Sequence, residues 1–309
     1  MMTTERIQKY AIDERDVRAA ATRLVNRSHL TPVTALPGFP FMVKREDLQF
    51  GGSFKFRGAA NTVTALRVHD IVTASSGNHA VALRFAAPEA SIRAVMQSDA
   101  PLHKRAMVER AGVAVVLCDG SLEDRNALAA SLAVEGATLI PSSDHSLVMA
   151  GAGTVALEIA LQVPDVSTIY VPIGGGGLAA GSIAALMSMP GIRVIGVEPE
   201  NADDAAQSRR CGSIVSWQGP HTVCDGARHA KLSPTAASII IDRIDDIVTV
   251  SDEAVLQVRD RLGKLGIAAE PTGCLALAGA LRAPSRNGVA VLSGGNTPDV
   301  VQASFRLAG

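Results

Sequence analysis

A lysine set among small and aromatic residues is the strongest sign of chemistry in this sequence. Lys55 lies within GGSFKFRGA, residues 51–59. Burial among apolar groups lowers the pKa of a lysine, and the neutral amine is the form that attacks an aldehyde. The segment therefore predicts a lysine that forms a Schiff base. A solvated lysine on a surface loop is the alternative, since lysine is rarely buried.

A polar run, TASSGNHA, follows at residues 73–80. It comes after an apolar, strand-like segment and leads through a glycine into a helical pattern, so its hydroxyl and amide groups meet at a helix N-terminus. The helix dipole favours an anion there. The run predicts a site for a carboxylate-sized anion. An ordinary helix cap is the alternative, although a cap needs only one of these polar residues.

Four consecutive glycines join the apolar segment TIYVPI to a helix-like run of small residues; they are Gly174, Gly175, Gly176 and Gly177. Glycines let backbone N–H groups approach a phosphate, and a helix N-terminus favours its charge. The run matches neither the P-loop nor the dinucleotide-binding pattern, so a single small phosphate is the natural ligand. A flexible linker is the alternative.

Short β-branched runs alternate along the chain with Ala- and Leu-rich runs of helical period, which is typical of a parallel sheet covered by helices. The predicted strands are DIVTASSG, SIRAVM, VAVVLC, ATLIP, TIYVPIGGGG, RVIGVEP, DIVTV and GVAVLSGGN. The predicted helices are RDVRAAATRLVN, HKRAMVERAG, LEDRNALAASLAVEG, GTVALEIALQV, LAAGSIAALMSM, SDEAVLQVRDRLGKLG and TGCLALAGAL. In open α/β sheets, ligands bind at the carboxyl ends of the strands. We therefore expect an α/β protein whose site lies at those ends, where Ser293 could present a hydroxyl to a ring nitrogen.

Composition excludes several classes of protein. The 29 Lys and Arg nearly cancel the 30 Asp and Glu, so no large single-sign field favours nucleic acid or an anionic membrane. The first residues are charged, and no run approaches the length of a membrane span, so a cytoplasmic location is expected. The four cysteines are widely spaced and predict neither disulfides nor a zinc site.

The motifs GSFKFRGA, SSGNHA, VPIGGGGLAAG and LSGGN, in this order, resemble the serine/threonine dehydratase and serine racemase family of fold type II pyridoxal-phosphate (PLP) enzymes. The similarity extends from about Leu30 to about Phe305. It implies a fold like that of tryptophan synthase β, with two domains that each contain a mostly parallel twisted sheet covered by helices. Residues 1–64 and 147–309 would form a large PLP-binding domain, and residues 65–146 a small mobile domain. Family likeness also suggests a homodimer.

The resemblance assigns roles around the cofactor. Lys55 would be the Schiff-base lysine, and the four glycines would cradle the phosphate. Asn78 would meet the ring hydroxyl and Ser293 would face the pyridine nitrogen. Phe54 would pack on one face of the ring, and Gly226 would leave room at the other.

The resemblance also implies a reaction. Ser75, Ser76 and His79 would border the carboxylate of an amino-acid substrate. Lys55 would remove the α-proton of a β-hydroxy-α-amino acid (serine, threonine or a 3-hydroxyaspartate-like compound), which would lose water and give a 2-oxo acid and ammonia. An amino-acid racemase is the alternative, because Ser76 matches the racemase's second acid/base. A non-catalytic binding protein and a β-replacement synthase fit the motifs less well.

Two further segments bear on ligands. Residues 198–204, EPENADD, resemble a metal-binding segment of the family, which makes Glu198, the Ala202 carbonyl and Asp204 candidate ligands for Mg²⁺ or Ca²⁺. A solvated helix start is the alternative. Arg228, His229 and Lys231 could pair with a second substrate carboxylate, or form a solvated basic loop.

Overall fold

The chain forms two sheets covered by helices. The computed structural model describes residues 10–297, except 76, 135 and 218. In this part of the chain the helices are α1 (Glu14–Leu24), α2 (Lys55–Leu66), α3 (Asn78–Ala86), α4 (Leu102–Arg110), α5 (Leu122–Val134), α6 (Ser146–Gln162), α7 (Gly177–Ala185), α8 (Asp204–Cys211), α9 (Pro234–Arg243), α10 (Asp252–Lys264) and α11 (Pro271–Arg282). The strands are β1 (Val33–Ala35), β2 (Met42–Arg45), β3 (Asp70–Ala74), β4 (Ser91–Gln97), β5 (Ala114–Cys118), β6 (Thr138–Leu139), β7 (Thr168–Pro172), β8 (Arg193–Pro199), β9 (Asp246–Val250) and β10 (Gly288–Leu292).

The larger sheet has six strands in the order β1-β2-β10-β7-β8-β9. Only the pair β1 and β2 is antiparallel, and the other neighbours run parallel. Every residue of β7 and β10 is buried, as expected of central parallel strands that helices cover on both faces. The smaller sheet is fully parallel, in the order β5-β4-β3-β6. The prediction of an α/β fold with mostly parallel sheets is confirmed.

Close packing of α6 against α7 sets the position of the glycine loop that precedes α7. A Cβ added to Gly181 would lie 2.2 Å from the Met149 carbonyl oxygen, and one added to Gly153 would lie 2.4 Å from the Gly181 carbonyl oxygen. Because both contacts are with backbone, the helices approach closely only with glycine at these positions. The small residues of the two helices are therefore a packing requirement.

The strand predictions missed β1 and β2, and the helix predictions missed α2 and α9. The starts of α3 and α8 were anticipated only as the helix after the polar run and the alternative interpretation of the acidic segment. Lys44 interrupts the apolar pattern of β2, yet it is fully buried, because its Nζ lies 2.6 Å from Glu158 Oε2. Arg57 in the first turn of α2 is also fully buried, 2.8 Å from Glu46 and 2.6 Å from Glu158. Ion pairs formed by distant residues make these charges compatible with the interior. The same network anchors the start of α2, where Lys55 lies.

The helices of the described part of the chain are all too short or too polar to cross a membrane.

Candidate active site

One cavity collects the predicted motifs. The polar run after β3, the glycine loop after β7 and the serine after β10 all line it, so the carboxyl ends of strands from both sheets form its wall. The predicted residues that line it are Phe54, Lys55, Ser75, Asn78, His79, Gly174, Gly175, Gly176, Gly177, Gly226 and Ser293. The structure therefore brings the separate motifs together. Ser76 lies outside the described residues.

Lys55 begins α2 and extends into this cavity. Its Nζ donates a hydrogen bond to the Ser142 carbonyl oxygen at 2.8 Å and lies 5.1 Å from the centre of the Phe54 ring. Burial lowers the pKa of Lys55 to about 8, and the Glu270 carboxylate opposes this shift. A substantial fraction of the amine is therefore neutral near physiological pH. That is the property expected of a nucleophilic or basic lysine.

The glycine loop has no room for side chains. A Cβ on Gly174 would lie 2.7 Å from the Gly226 carbonyl oxygen, and one on Gly175 would lie 2.3 Å from Ser143 Oγ. Gly176 has a φ of +89°, in the left-handed region that glycine adopts readily. The loop ends at the N-terminus of α7, which favours an anion. A small phosphate fits this combination of close backbone and helix dipole.

The residues of the polar run at the start of α3 make different contacts in the cavity. Ser75 Oγ accepts a hydrogen bond from the Gly77 N–H at 3.2 Å. Burial, with a smaller effect from Lys55, lowers the pKa of His79 to about 3, so its imidazole is neutral. Because its Nε2 lies 3.2 Å from the Ile140 carbonyl oxygen, Nε2 carries the proton and Nδ1 is an acceptor. His79 lines the cavity, but in this tautomer its Nδ1 cannot donate to a carboxylate.

Ser293 and Gly226 approach the cavity from the larger sheet's side, and Thr272 links them. Thr272 Oγ1 accepts from the Gly226 N–H at 3.0 Å. Ser293 Oγ lies 3.4 Å from the Thr272 carbonyl oxygen, which is long for a hydrogen bond to a hydroxyl donor. The Ser293 hydroxyl can therefore turn to another partner in the cavity.

Several charged residues of the cavity were missed from the sequence. They are Lys104, Arg125, Asp225 and Glu270. Each lies in or beside a helix or turn, and no local pattern distinguishes it from a solvated charged residue. Only the packing of α4, α5 and the start of α11 around the cavity reveals them.

The basic segment after Gly226 is divided between the cavity and the surface. Arg228 and His229 line the cavity, whereas Lys231 is exposed and lies 3.6 Å from Glu123. Burial, followed by the nearby charges of Lys55 and Arg125, lowers the pKa of His229 to about 4. A neutral imidazole and a guanidinium therefore face the cavity, and the solvated-loop interpretation holds for Lys231.

The predicted metal segment links β8 to α8. Glu198 accepts hydrogen bonds from the N–H groups of Ala205 and Ala206 at 3.0 and 2.8 Å. Asp204 is 1% exposed, and its Oδ2 has no hydrogen-bond partner within the described residues. Burial, with Asp204 as a second cause, raises the pKa of Glu198, and burial raises that of Asp204 to about 7. Residues 10–297, as far as they are described, contain no group of three His, Cys, Asp or Glu side chains placed to hold a metal ion.

The chain is similar to known proteins over most of its length. Residues 10–294 match the profile of a family described as pyridoxal-phosphate dependent enzyme. The L-threo-3-hydroxyaspartate ammonia-lyase of Saccharomyces cerevisiae is 38% identical, with 91% of this chain and 92% of the relative covered. The structure of maize serine racemase superposes with a TM-score of 0.88 at 34% identity, covering 97% of this chain and 98% of that one. The T.th. threonine deaminase structure superposes with a TM-score of 0.87 at 35% identity, covering 92% and 98%.

Proposed function

Because the chain belongs to the pyridoxal-phosphate dependent enzyme family, we propose that it is a dehydratase that removes water from a β-hydroxy-α-amino acid and releases a 2-oxo acid and ammonia. The family, its fold and its cofactor, all predicted from the sequence, are confirmed by the matches. The observation that carries the proposed reaction is the lysine of lowered pKa, Lys55, in one cavity with a glycine loop suited to phosphate.

The residues present fit the cofactor. The crowded glycine loop would hold the phosphate, Phe54 and Gly226 would lie on the two faces of the ring, and Asn78 and Ser293 would meet its edge. Bound pyridoxal phosphate supplies an aldehyde that condenses with amines and a ring that withdraws electrons from the α-carbon of an attached amino acid.

The chain's own groups then account for the proton transfers. The neutral amine of Lys55 takes the α-proton, which its lowered pKa favours near neutral pH. Ser293 would meet the ring nitrogen with a neutral hydroxyl, which would not hold that nitrogen protonated as an aspartate would. A weaker electron sink would disfavour transamination. Elimination would be less demanding, because the β-hydroxyl can leave as water when the protonated amine of Lys55 gives it the proton taken from the α-carbon.

Racemisation is the second candidate function. Maize serine racemase and the S. cerevisiae ammonia-lyase resemble this chain to a similar degree, so both reactions are compatible with the family. A racemase needs an acid/base on each face of the α-carbon, and Ser76 is the predicted residue opposite Lys55.

One set of assays separates the two reactions. We would measure 2-oxo acid and ammonia release, together with the chirality of the remaining substrate, for L- and D-forms of serine, threonine, 3-hydroxyaspartate and 3-phenylserine. Rapid oxo-acid formation from one stereoisomer supports the dehydratase. Exchange of enantiomers with little oxo acid would instead establish a racemase, for which Ser76 is the predicted second acid/base.

A lysine substitution tests the proposed base. Lys55→Ala should lower turnover by about 10³-fold or more, because it removes both the cofactor's covalent partner and the base. It should also abolish the visible absorbance of lysine-bound cofactor. Lys264→Ala, which changes an exposed lysine of α10, serves as the control and should retain both. Normal turnover in Lys55→Ala would contradict the mechanism.

We propose in addition that Glu198, the Ala202 carbonyl and Asp204 hold a divalent cation with a structural role. Two buried carboxylates lie in this segment, and the described residues offer Asp204 Oδ2 no donor. A buried anion without a partner is costly, and Mg²⁺ or Ca²⁺ would compensate it with the oxygen ligands that these ions prefer.

A further inference from the structure

Glu270 is a buried carboxylate in the wall of the active-site cavity. It stands directly before α11 and is 4% exposed, yet its side chain does not cap that helix. The backbone of Gly294 packs against it so closely that a Cβ there would lie 2.2 Å from Glu270 Oε1. The carboxylate is therefore held in one place by tight packing.

The contacts of Glu270 determine the orientation of Asn78. Glu270 Oε1 accepts a hydrogen bond from Asn78 Nδ2 at 2.5 Å, and Asn296 Nδ2 donates to Asn78 Oδ1 at 3.1 Å. Asn296 also donates to the Gly51 carbonyl oxygen at 2.8 Å, which identifies the nitrogen end of its own amide. With an acceptor on one side and a donor on the other, the Asn78 amide cannot be reversed. Asn78 lines the cavity, so its second N–H is available to a ligand there.

Glu270 also belongs to a buried group of charges that is negative overall. Its Oε2 lies 3.4 Å from Lys104 Nζ, and Lys104 forms a second ion pair with Asp225. Burial raises the pKa of Glu270, but Lys104 and Asn78 both face it with donors, so the ionised form is the one that its contacts satisfy. Within this group one cation faces two carboxylates, so the group carries one net negative charge, and it lines the same cavity as Lys55.

The net negative charge of this group favours the protonated form of Lys55. Glu270 raises the pKa of Lys55, against the larger effect of burial. The other charged and titratable side chains that line the cavity are His79, Lys104, Arg125, Asp225, Arg228 and His229. The two histidines are neutral, and the lysine and the two arginines are cations, so none of these can serve as the counter-charge to Lys55. Asp225, the other carboxylate, is ion-paired with Lys104.

We propose that Glu270 is a positioning residue of the reaction: it fixes the orientation of the Asn78 amide at the proposed cofactor site and supplies negative charge to the cavity that Lys55 lines. This assignment rests on the proposed roles of Lys55 and Asn78. It gives the missed residue Glu270 a function that acts through its neighbours, without contact with the reacting atoms.

A pH titration of the bound cofactor tests the proposal without any substrate. In the Glu270→Gln holoenzyme, the visible absorbance of protonated, lysine-bound cofactor should be lost at a pH lower by about one unit or more, a tenfold change in the protonation equilibrium. The size of the side chain is conserved, so the charge is the main change. Glu109→Gln, which changes an exposed glutamate of α4 paired with Arg105 at 2.9 Å, is the matched control and should titrate like the wild type.

A second variant decides the matter if Glu270→Gln does not fold or bind cofactor. Lys104→Gln removes the cation that neutralises Glu270, so the same titration should move to higher pH. A titration midpoint that stays within about 0.3 units of the wild type in Glu270→Gln, or that does not rise in Lys104→Gln when only that variant folds, would overturn the proposal. Failure of the dehydratase assay with these shifts present would count against the proposed reaction alone, because the titration requires no turnover.

Discussion

At the scale of single residues, two side chains of the cavity, Arg125 and His229, can donate hydrogen bonds to a substrate. Arg125 Nε is buried and has no hydrogen-bond partner within the described part of the chain. His229 is neutral and also lines the cavity, near Arg125. Donors of this kind suit a second carboxylate, as in 3-hydroxyaspartate, better than the methyl group of threonine.

We therefore predict a preference for an acidic substrate, and a substitution of Arg125 tests it. Arg125→Met should lower kcat/KM for 3-hydroxyaspartate by about 10-fold or more relative to its effect on serine, because a charge-assisted hydrogen bond is lost only with the dicarboxylate. Arg105→Met, which changes a partly exposed arginine paired with Glu109 at 2.9 Å, should change neither value. Equal losses for both substrates in Arg125→Met would assign Arg125 to a feature that the substrates share.

The buried neutral histidine makes stability depend on pH. The pKa of His79 is about 3 in the folded chain and near 6.5 when exposed, so the unfolded state binds a proton that the folded state does not between these values. Lowering the pH through this window should therefore cost up to about 1.4 kcal/mol of unfolding free energy per pH unit from this residue. Denaturant unfolding of His79→Gln between pH 7 and 5 should show a shallower decline than the wild type. Identical slopes would mean that folding does not lower the pKa of His79.

At the scale of elements, the site depends on where strands end and helices begin. Lys55 opens α2, Asn78 opens α3, and the glycine loop opens α7. Helix N-termini offer N–H groups and a positive dipole end, so two of these starts can serve the anionic groups of cofactor and substrate. The ion pairs of Arg57 with Glu46 and Glu158 anchor α2 and thereby the position of Lys55.

The crowding of the glycine loop predicts the effect of a single added methyl group. Gly175→Ala should weaken cofactor binding by about 10-fold or more, because the new Cβ would lie 2.3 Å from Ser143 Oγ and the loop would have to move. Equilibrium binding of pyridoxal phosphate measures the change. Gly191→Ala is the control, since its Cβ would meet no described atom within 4 Å. Equal affinities in the two variants would show that the glycine loop does not bind the phosphate.

At the scale of the whole molecule, two sheets built from different parts of the chain line one cavity. The strands of the smaller sheet all lie between residues 70 and 139, and those of the larger sheet come from both sides of that segment. The proposed division into a small mobile domain, 65–146, and a large domain, 1–64 with 147–309, rests on this arrangement and on family resemblance. The homodimer and the cytoplasmic location likewise stay predictions. The proposed amino-acid substrate, which carries charged groups, suits a cavity lined by charged and polar side chains.

The proposed divalent cation should be visible in the stability of the whole chain. A ligand that binds only the folded state stabilises it by mass action, so EDTA should lower the midpoint of thermal unfolding and Mg²⁺ or Ca²⁺ should restore it. Asp204→Asn should remove the response to added metal. An unfolding midpoint that neither EDTA nor added metal changes would show that the segment binds no cation of consequence.

The sequence by itself determined the family, the α/β class, the cofactor and the positions of eight strands, because each of these leaves a local pattern. GSFKFRGA and the four glycines indicate their chemistry through residue types that are adjacent in the chain. The β1–β2 pair and α2 were missed, because Lys44 and Arg57 look like surface charges until their distant ion-pair partners are known.

Only the tertiary structure decided which charges belong to the site. Glu270, Lys104 and Asp225 are separated by up to 166 residues, yet they form one buried group beside Lys55. The same structure divided the basic segment, placing Arg228 and His229 at the cavity and Lys231 at the surface. The physical reason is that burial and the pairing of charges depend on what packs around a residue, and for these residues the packing partners come from remote parts of the chain.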